Sequence, residues 1–599
     1  MKKRSIQYMT RPFILTLNRP SFFVVLLVIV WLLTCARLLH SYWDATAITF
    51  PDIDDAMRFA QLQDFLNGQG WFDLHQARLT PPQGYDTHWS RLFDAGLAGF
   101  YFLFRAVADD GMAERLMRAL WPLLWILPAI IGASSVAWRM AGVQAAMITL
   151  LLILAGGSAY QQFLPGTIDH HNVQIGLIML VVAAAVWSDR ILWCASAAGF
   201  LTAFSIAIGL EALPYLAVCG SAFALRFVCS ADAARSLRHY ALSLMIGLIV
   251  LFFATIGPVR WLNVHCDAFA FNLIAAIAPA AAALVIGSFV AASGIWPRAI
   301  IVVLAAMIAL AMVVAIEPRC LLGPYALIDQ RVWSLWLSSV FENQPLTQAV
   351  ISSPARIMPM LAFPVMSLVA LIVLTRRKAA RSDFAVLVLG AVFLTSWLTV
   401  YIAVRAIPYA IWLGFPVVAA AAVAVFQAAQ SSRPWGQPAL ALLLSPFVLG
   451  SVVSFVLPVN AFAVASGSGE MSRNCQLSDN VRALAALPPG LIATGVFHGA
   501  HILALTSHSV LAAPFHRNLD GALALHRILA ARPDDAREAA RSAGVTYIAL
   551  CGPRPPDGLS EAERKQGLWA HLDAGAVPDW LDPVTSTIGR PFTVYRVLP

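Results

Sequence analysis

The chain has 599 residues, 59% of them hydrophobic and only 12% charged, with a formal net charge of +8. That balance excludes a soluble protein with one ordinary core, because many stretches approach the length that crosses a hydrocarbon layer. It also argues against a nucleic-acid partner, since the basic residues fall in short clusters between apolar runs, where orientation signals lie.

In chain order, "MKKRSIQYMTRPFILTLNRP" carries five positive charges ahead of "SFFVVLLVIVWLLTCARLLH", a run long enough to be a retained first span with a cytoplasmic N-terminus. Apolar segments then recur at 21–40, 114–138, 142–158, 171–187, 191–209, 212–228, 239–258, 268–292, 299–316, 355–375, 383–403, 406–428 and 437–458. They predict a polytopic α-helical membrane protein of about thirteen spans. Alternation from a cytoplasmic start puts "DR" at 189–190, Arg235 and Arg238, "WPR" at 296–298, "TRRKAARSD" at 375–383 and "SSRPWG" at 431–436 on the cytoplasmic side, as the positive-inside rule requires. The opposite face then receives the loop 41–112, the "DHH" corner at 169–171, the loop 317–354 and everything after 458. In a bacterium this is the periplasmic face of the inner membrane. The expected organisation is a membrane domain over 1–458 and an external α/β domain over 459–599.

The first external loop opens with Asp52, Asp54 and Asp55, continues through a helix-like stretch and turns at "TPPQG". Such carboxylates suit a hard divalent cation, and an N-cap of Asp52 or Asp54 equally suits a helix start. Asp169, His170 and His171 stand at the mouth of an apolar run, where ionisable groups are costly unless solvated, paired or metal-bound. An N-cap with two interfacial histidines is the alternative. Glu342 in "SSVFENQPLTQ" falls on the same side, and the coincidence of side favours a shared Mg²⁺ or Mn²⁺ site.

Further on, "LIAT", "GAHILALT", "SVLAAP" and "DDAREAARSAGVTYIAL" read as strand, helix, strand and helix–strand. His498, His501, His508 and His516 crowd this region without Cys or Asp at zinc spacing, so no structural zinc is expected. Of eight cysteines, Cys266, Cys320, Cys475 and Cys551 are external. The natural pairings are Cys266 with Cys320 and Cys475 with Cys551.

"DIDDAMR", "GWFD", "PPQGYDTHW", "DHH", "FENQP" and "VRAIPYAIWLGFP" resemble, in order and sidedness, the motifs of the catalytic subunit of oligosaccharyltransferase, a C-type membrane glycosyltransferase with thirteen spans and an external C-terminal domain. The resemblance implies transfer of a sugar or oligosaccharide from a polyprenyl-phosphate or pyrophosphate donor. It makes Asp52 or Asp54, Asp169 and His171 ligands of Mn²⁺ or Mg²⁺, and Arg405 the holder of the donor phosphate. Asp52, Asp54 or Glu342 would orient or deprotonate the acceptor, with Arg58, His88 and His498 as acceptor-side candidates. A snorkelling role is the alternative for Arg405. The family's "WWDYG" sequon-recognition motif is missing: the matching region reads "ATGVFHGAHILALTSHSVLAAPFHRN". The expected acceptor is therefore a glycan or lipid at least as readily as a protein. A transporter or flippase of lipid-linked glycans is the competing class, disfavoured because no repeated halves are visible.

Overall fold

A computed structural model describes residues 20–290, 294–377, 383–429, 436–457, 474–552, 555–587 and 590–599. Most of the basic N-terminal segment, the centre of "TRRKAARSD", most of "SSRPWG" and the 458/459 boundary lie outside the described residues.

The membrane part comprises α1 (Pro20–Tyr42), α2 (Ile53–Leu66), α3 (Asp110–Leu154), α4 (His171–Trp187), α5 (Leu192–Ile208), α6 (Leu213–Cys229), α7 (Ala234–Thr255), α8 (Phe271–Gly287), α9 (Ile295–Ile316), α10 (Pro354–Thr375), α11 (Phe384–Ile402), α12 (Ile407–Ala428), α13 (Gly436–Leu443) and α14 (Pro446–Val456). Among the described residues seven helices are long and apolar enough to span, or eight with the bent pair α13–α14; α4, α5, α6 and α8 are shorter apolar helices of 17 residues. The 45-residue α3 breaks at Ala141 and Gly142, where Gly142 has φ of 78°, so it is two spans joined end to end. Counted this way, the helices match the thirteen predicted segments one for one; α2 lies in the first loop.

α12 is almost wholly enclosed by the rest of the protein, whereas α9 is almost wholly exposed on the outside of the bundle. Gly132 of α3 lets α4 approach closely, because a Cβ there would lie 2.4 Å from the carbonyl carbon of Met179. Trp412 of α12 donates to the Ala159 carbonyl at 2.9 Å, anchoring α12 to the turn that precedes α4. At one face Arg139 pairs with Asp189 (2.5 Å) and Asp383 (3.5 Å), so the break in α3, the α4–α5 turn and the start of α11 meet there. Loop 41–112 and the "DHH" corner occupy the opposite face.

The first loop carries the short strands β1 (His75–Gln76) and β2 (Tyr85–Asp86). The C-terminal part carries β3 (Leu491–Thr494), β4 (Ser509–Val510), β5 (Tyr547–Cys551), β6 (Leu581–Pro583) and β7 (Phe592–Val597). The five-stranded sheet has order β4-β3-β5-β7-β6, parallel through β4, β3 and β5 and antiparallel beyond. Its first edge is not free. Leu79 bridges to Val510, Thr80 N–H donates to the Val510 carbonyl at 2.8 Å, and Val510 N–H donates to the Arg78 carbonyl at 2.9 Å. The Thr80 hydroxyl reaches the Leu511 carbonyl and the Asn518 amide, and Phe50, Phe59, Tyr85 and Trp89 share one apolar core with Ile492, Ile502 and Phe515. Loop and sheet are therefore one body above the bundle.

Candidate functional site

Three carboxylates at the start of α2 take three positions. Asp52 is the N-cap: its side chain accepts from the Ile53 and Asp54 amides, and Asp55 completes a capping box on the Asp52 amide at 3.0 Å. Its neighbour Asp54 faces a cavity. The fully buried Asp55 uses its other oxygen to accept from the amides of Ile168 (2.7 Å) and Asp169 (2.8 Å), fixing the "DHH" corner to α2 across more than 100 residues.

At the corner, the two oxygens of Asp169 have separate partners. Oδ1 meets His170 Nδ1 at 2.6 Å and Arg58 Nη2 at 3.6 Å, while Oδ2 lies 3.5 Å from His171 Nε2. The other His171 nitrogen, Nδ1, is 3.1 Å from the Tyr409 hydroxyl, one helical turn beyond Arg405. This is the arrangement of a ligating imidazole steadied by an outer partner. Two ligands of one cation at bond lengths of about 2.1 Å sit roughly 3.0–3.5 Å apart, so Asp169 Oδ2 and His171 Nε2 are correctly spaced for a shared ion.

Asp52, Asp54, His170, His171, Glu211, Glu342 and Arg405 line one open cavity of about 520 Å³. Glu342 sits in a tight turn at Phe341–Asn343, held against the start of the Arg405 segment by Val404 N–H donating to the Gln344 carbonyl at 3.1 Å. Burial, then the Asp52 carboxylate, pushes the Glu342 carboxyl up to about 7. Asp54 is likewise raised well above its ordinary range, by burial and then by Asp169, Asp52 and Glu342. Carboxylates that repel one another in this way are what a bound divalent cation would relieve, so the donor set fits such an ion.

Some sequence expectations change. Arg58 does not reach an acceptor: it is fully buried, 3.7 Å from Asp94 and 3.6 Å from Asp169, with Trp89 and Phe93 rings 4.1 and 4.5 Å from its guanidinium carbon. His498 is buried edge-on to Phe592 and borders a separate small cavity; its neighbour Phe497 lines the main one. His170, which helical divergence would point away from its neighbours, stacks on His171 with centroids 4.8 Å apart and reaches Glu211 at 3.1 Å. His170 is the N-cap residue, ahead of the regular helix that begins at His171, so the roughly 100° turn between adjacent helical side chains does not separate the two rings. His88 does line the cavity, as do Cys266 and Cys320, which form a disulfide; Cys475 and Cys551 form the other. Glu211, Tyr325 and Trp336 were not singled out from sequence, and nothing local marks them.

No known family's sequence profile matches the chain, and no curated protein matches its sequence. Among solved structures, the archaeal oligosaccharyltransferase AglB from Archaeoglobus fulgidus, in complex with an inhibitory peptide and a dolichol-phosphate, matches with a TM-score of 0.63 at 15% identity, covering 88% of this chain and 69% of that one. The chain has the oligosaccharyltransferase fold. The apo form of the Archaeoglobus fulgidus oligosaccharyltransferase gives a TM-score of 0.63 at 16% identity, over 89% of this chain and 70% of that one. The form tethered to an acceptor peptide containing the NVT sequon gives 0.60 at 15%, over 97% and 75%. The last of these alignments spans nearly the whole of this chain.

Proposed function

We propose that the chain is a membrane glycosyltransferase that moves a sugar or oligosaccharide from a polyprenyl-phosphate or pyrophosphate donor to an acceptor on the periplasmic side, with Mn²⁺ or Mg²⁺ as cofactor. The observation that carries this reading is the convergence of Asp52, Asp54, Glu342, His171 and Arg405 on one open cavity at the face of the bundle, with Asp169 directly behind. Asp54, Asp169 and His171 hold the cation, with Asp52 as the further oxygen donor, since one of its oxygens is already spent on the helix cap. When bound, the cation supplies positive charge beside the departing phosphate. Arg405 binds that phosphate through its guanidinium fork. Glu342 and Asp52 orient the acceptor nucleophile and take its proton as its oxygen or nitrogen bonds to the anomeric carbon and the carbon–oxygen bond to phosphate breaks.

The dolichol-phosphate bound by the archaeal enzyme of the same fold supports a lipid-linked donor. Two disulfides on the cavity face support its assignment to an oxidising compartment. With no "WWDYG" in "ATGVFHGAHILALTSHSVLAAPFHRN", a glycan or lipid acceptor is favoured at least as readily as a protein. The test is to supply membranes with labelled polyprenyl-phosphate and polyprenyl-pyrophosphate sugars and to identify the fraction that takes up label. Uptake lost in Asp169→Ala is expected. Labelled lipid that crosses the membrane unconsumed would instead establish a flippase.

A further inference from the structure

A second cluster lies on the same cavity, away from the acidic motifs. One ring nitrogen each of His88 and His516 and one carboxylate oxygen of Asp267 fall within 4.8 Å of one another. The three come from separate parts of the chain: His88 from the loop after α1, Asp267 from the loop between α7 and α8, and His516 from the segment after β4. Spacing along the sequence cannot reveal such a set, because each histidine finds its partners only across the folded interface.

The local chemistry is that of a built ligand set. His516 Nε2 and Asp267 Oδ2 are 2.6 Å apart and share a proton, the position a metal ion takes over when such a pair ligates. Arg517 grips the same carboxylate through both oxygens, Nε to Oδ2 at 2.9 Å and Nη2 to Oδ1 at 2.7 Å, the kind of outer contact that orients a ligating carboxylate. The Cys266–Cys320 disulfide fixes the residue adjacent to Asp267. The His88 ring lies 4.6 Å from that of His516, inclined at 53°, and His88 Nδ1 is buried without a hydrogen-bond partner. All three side chains border the cavity, so a fourth coordination position would open into it.

We propose that His88, Asp267 and His516 form a second metal site, for a borderline transition metal of the Zn²⁺ type, which clasps the C-terminal sheet to two loops of the membrane part. Two imidazoles and one carboxylate suit Zn²⁺ far better than Mg²⁺, which prefers an all-oxygen shell. Three protein ligands with one position open to solvent make an exchangeable site rather than a closed structural one.

The test uses the full chain, purified in detergent without reductant, stripped of metal and dialysed against Zn²⁺, with bound zinc per chain measured by mass spectrometry. His516→Ala and His88→Ala should each bind one equivalent less than the native protein and lose the rise in thermal midpoint that zinc confers. Asp169→Ala should keep that equivalent, which separates this site from the one proposed for catalysis. Undiminished zinc in both histidine variants overturns the proposal. A readout that needs no histidine variant is the visible spectrum of the Co²⁺-loaded native and Asp169→Ala proteins. Tetrahedral cobalt bands bleached by Zn²⁺ in both support the site, and their absence from Asp169→Ala overturns it.

Discussion

Two layers of the site begin on the same turn of α2 and meet opposite fates. Asp52 and Asp54 open to the cavity, whereas Asp55 and Arg58 are completely buried beneath it with Asp94; Asp169 and His170 stand where the two layers meet, His170 bordering the cavity. In the upper layer Arg405 and Arg356 offset only part of the negative charge: Asp54 and Glu342 remain raised by burial and by their carboxylate neighbours. The lower layer is tied by ion pairs and amides: Arg58 lies between Asp94 and Asp169, and Asp55 accepts from the Ile168 and Asp169 amides. Carboxylates left facing one another mark a surface that awaits a ligand, while carboxylates held by a guanidinium or by backbone amides mark a support. A variant in the upper layer should therefore cost chemistry, and one in the lower layer should cost stability.

The largest effect expected is on transfer in Asp54→Ala: a loss of roughly 10²–10³-fold or more, with unfolding stability within about 0.5 kcal/mol of native. Equal losses of transfer and stability would dissolve the distinction between the layers. Next is Arg58→Ala, which takes one cation from each of two buried carboxylates, leaving Asp94 with Arg91 at 3.1 Å and Asp169 with His170 at 2.6 Å, and empties a fully buried site. It should destabilise by about 3 kcal/mol, read from denaturant unfolding in detergent. A stable Arg58→Ala protein with lost activity would move Arg58 into the upper layer. His170→Ala sits between, because it steadies Asp169 from below; a 10–100-fold weakening of metal affinity is expected, measured by titration of Mn²⁺.

The smallest effect sharpens the comparison through pH. Glu342 is pushed up to about 7 from an ordinary 4.5, so the fold prefers its protonated form. The stabilisation is fully present below about pH 4.5 and is lost as the pH rises to about 7. Metal-free native protein should lose thermal midpoint across that window more steeply than Glu342→Gln. Parallel curves would mean that Glu342 is not part of the repelling set.

The bundle was legible because each span is a long apolar run, and even the break in α3 at Ala141 and Gly142 fell where one predicted segment, 114–138, gives way to the next, 142–158. In the C-terminal part "LIAT" and "GAHILALT" matched a strand and a helix, but "SVLAAP" forms only the two-residue β4, since its partner strand pairs no further. The residue types of the upper layer were legible because carboxylates and histidines are rare in such a sequence. The lower layer was not. Nothing in "DIDDAMR" distinguishes Asp54, which faces the cavity, from Asp55, which reaches the Asp169 amide; only the helix phase and the position of α4 decide it. Likewise the Arg517 contact to Asp267 spans 250 residues, beyond any local pattern.

The pairing of loop residues 78–80 with the edge of the C-terminal sheet also sets a clock on biosynthesis. Thr80 meets Asn518 across 438 residues of chain. At a synthesis rate of about 5–20 residues per second, the loop waits roughly 20–90 s after its own translation before its partner emerges. During that interval Arg78, Leu79 and Thr80 expose unpaired backbone and the apolar side of the loop has no cover. The cavity rim is thus among the last parts of the molecule to close, and a nascent chain halted before β4 would have its acidic residues in place but no completed pocket around them.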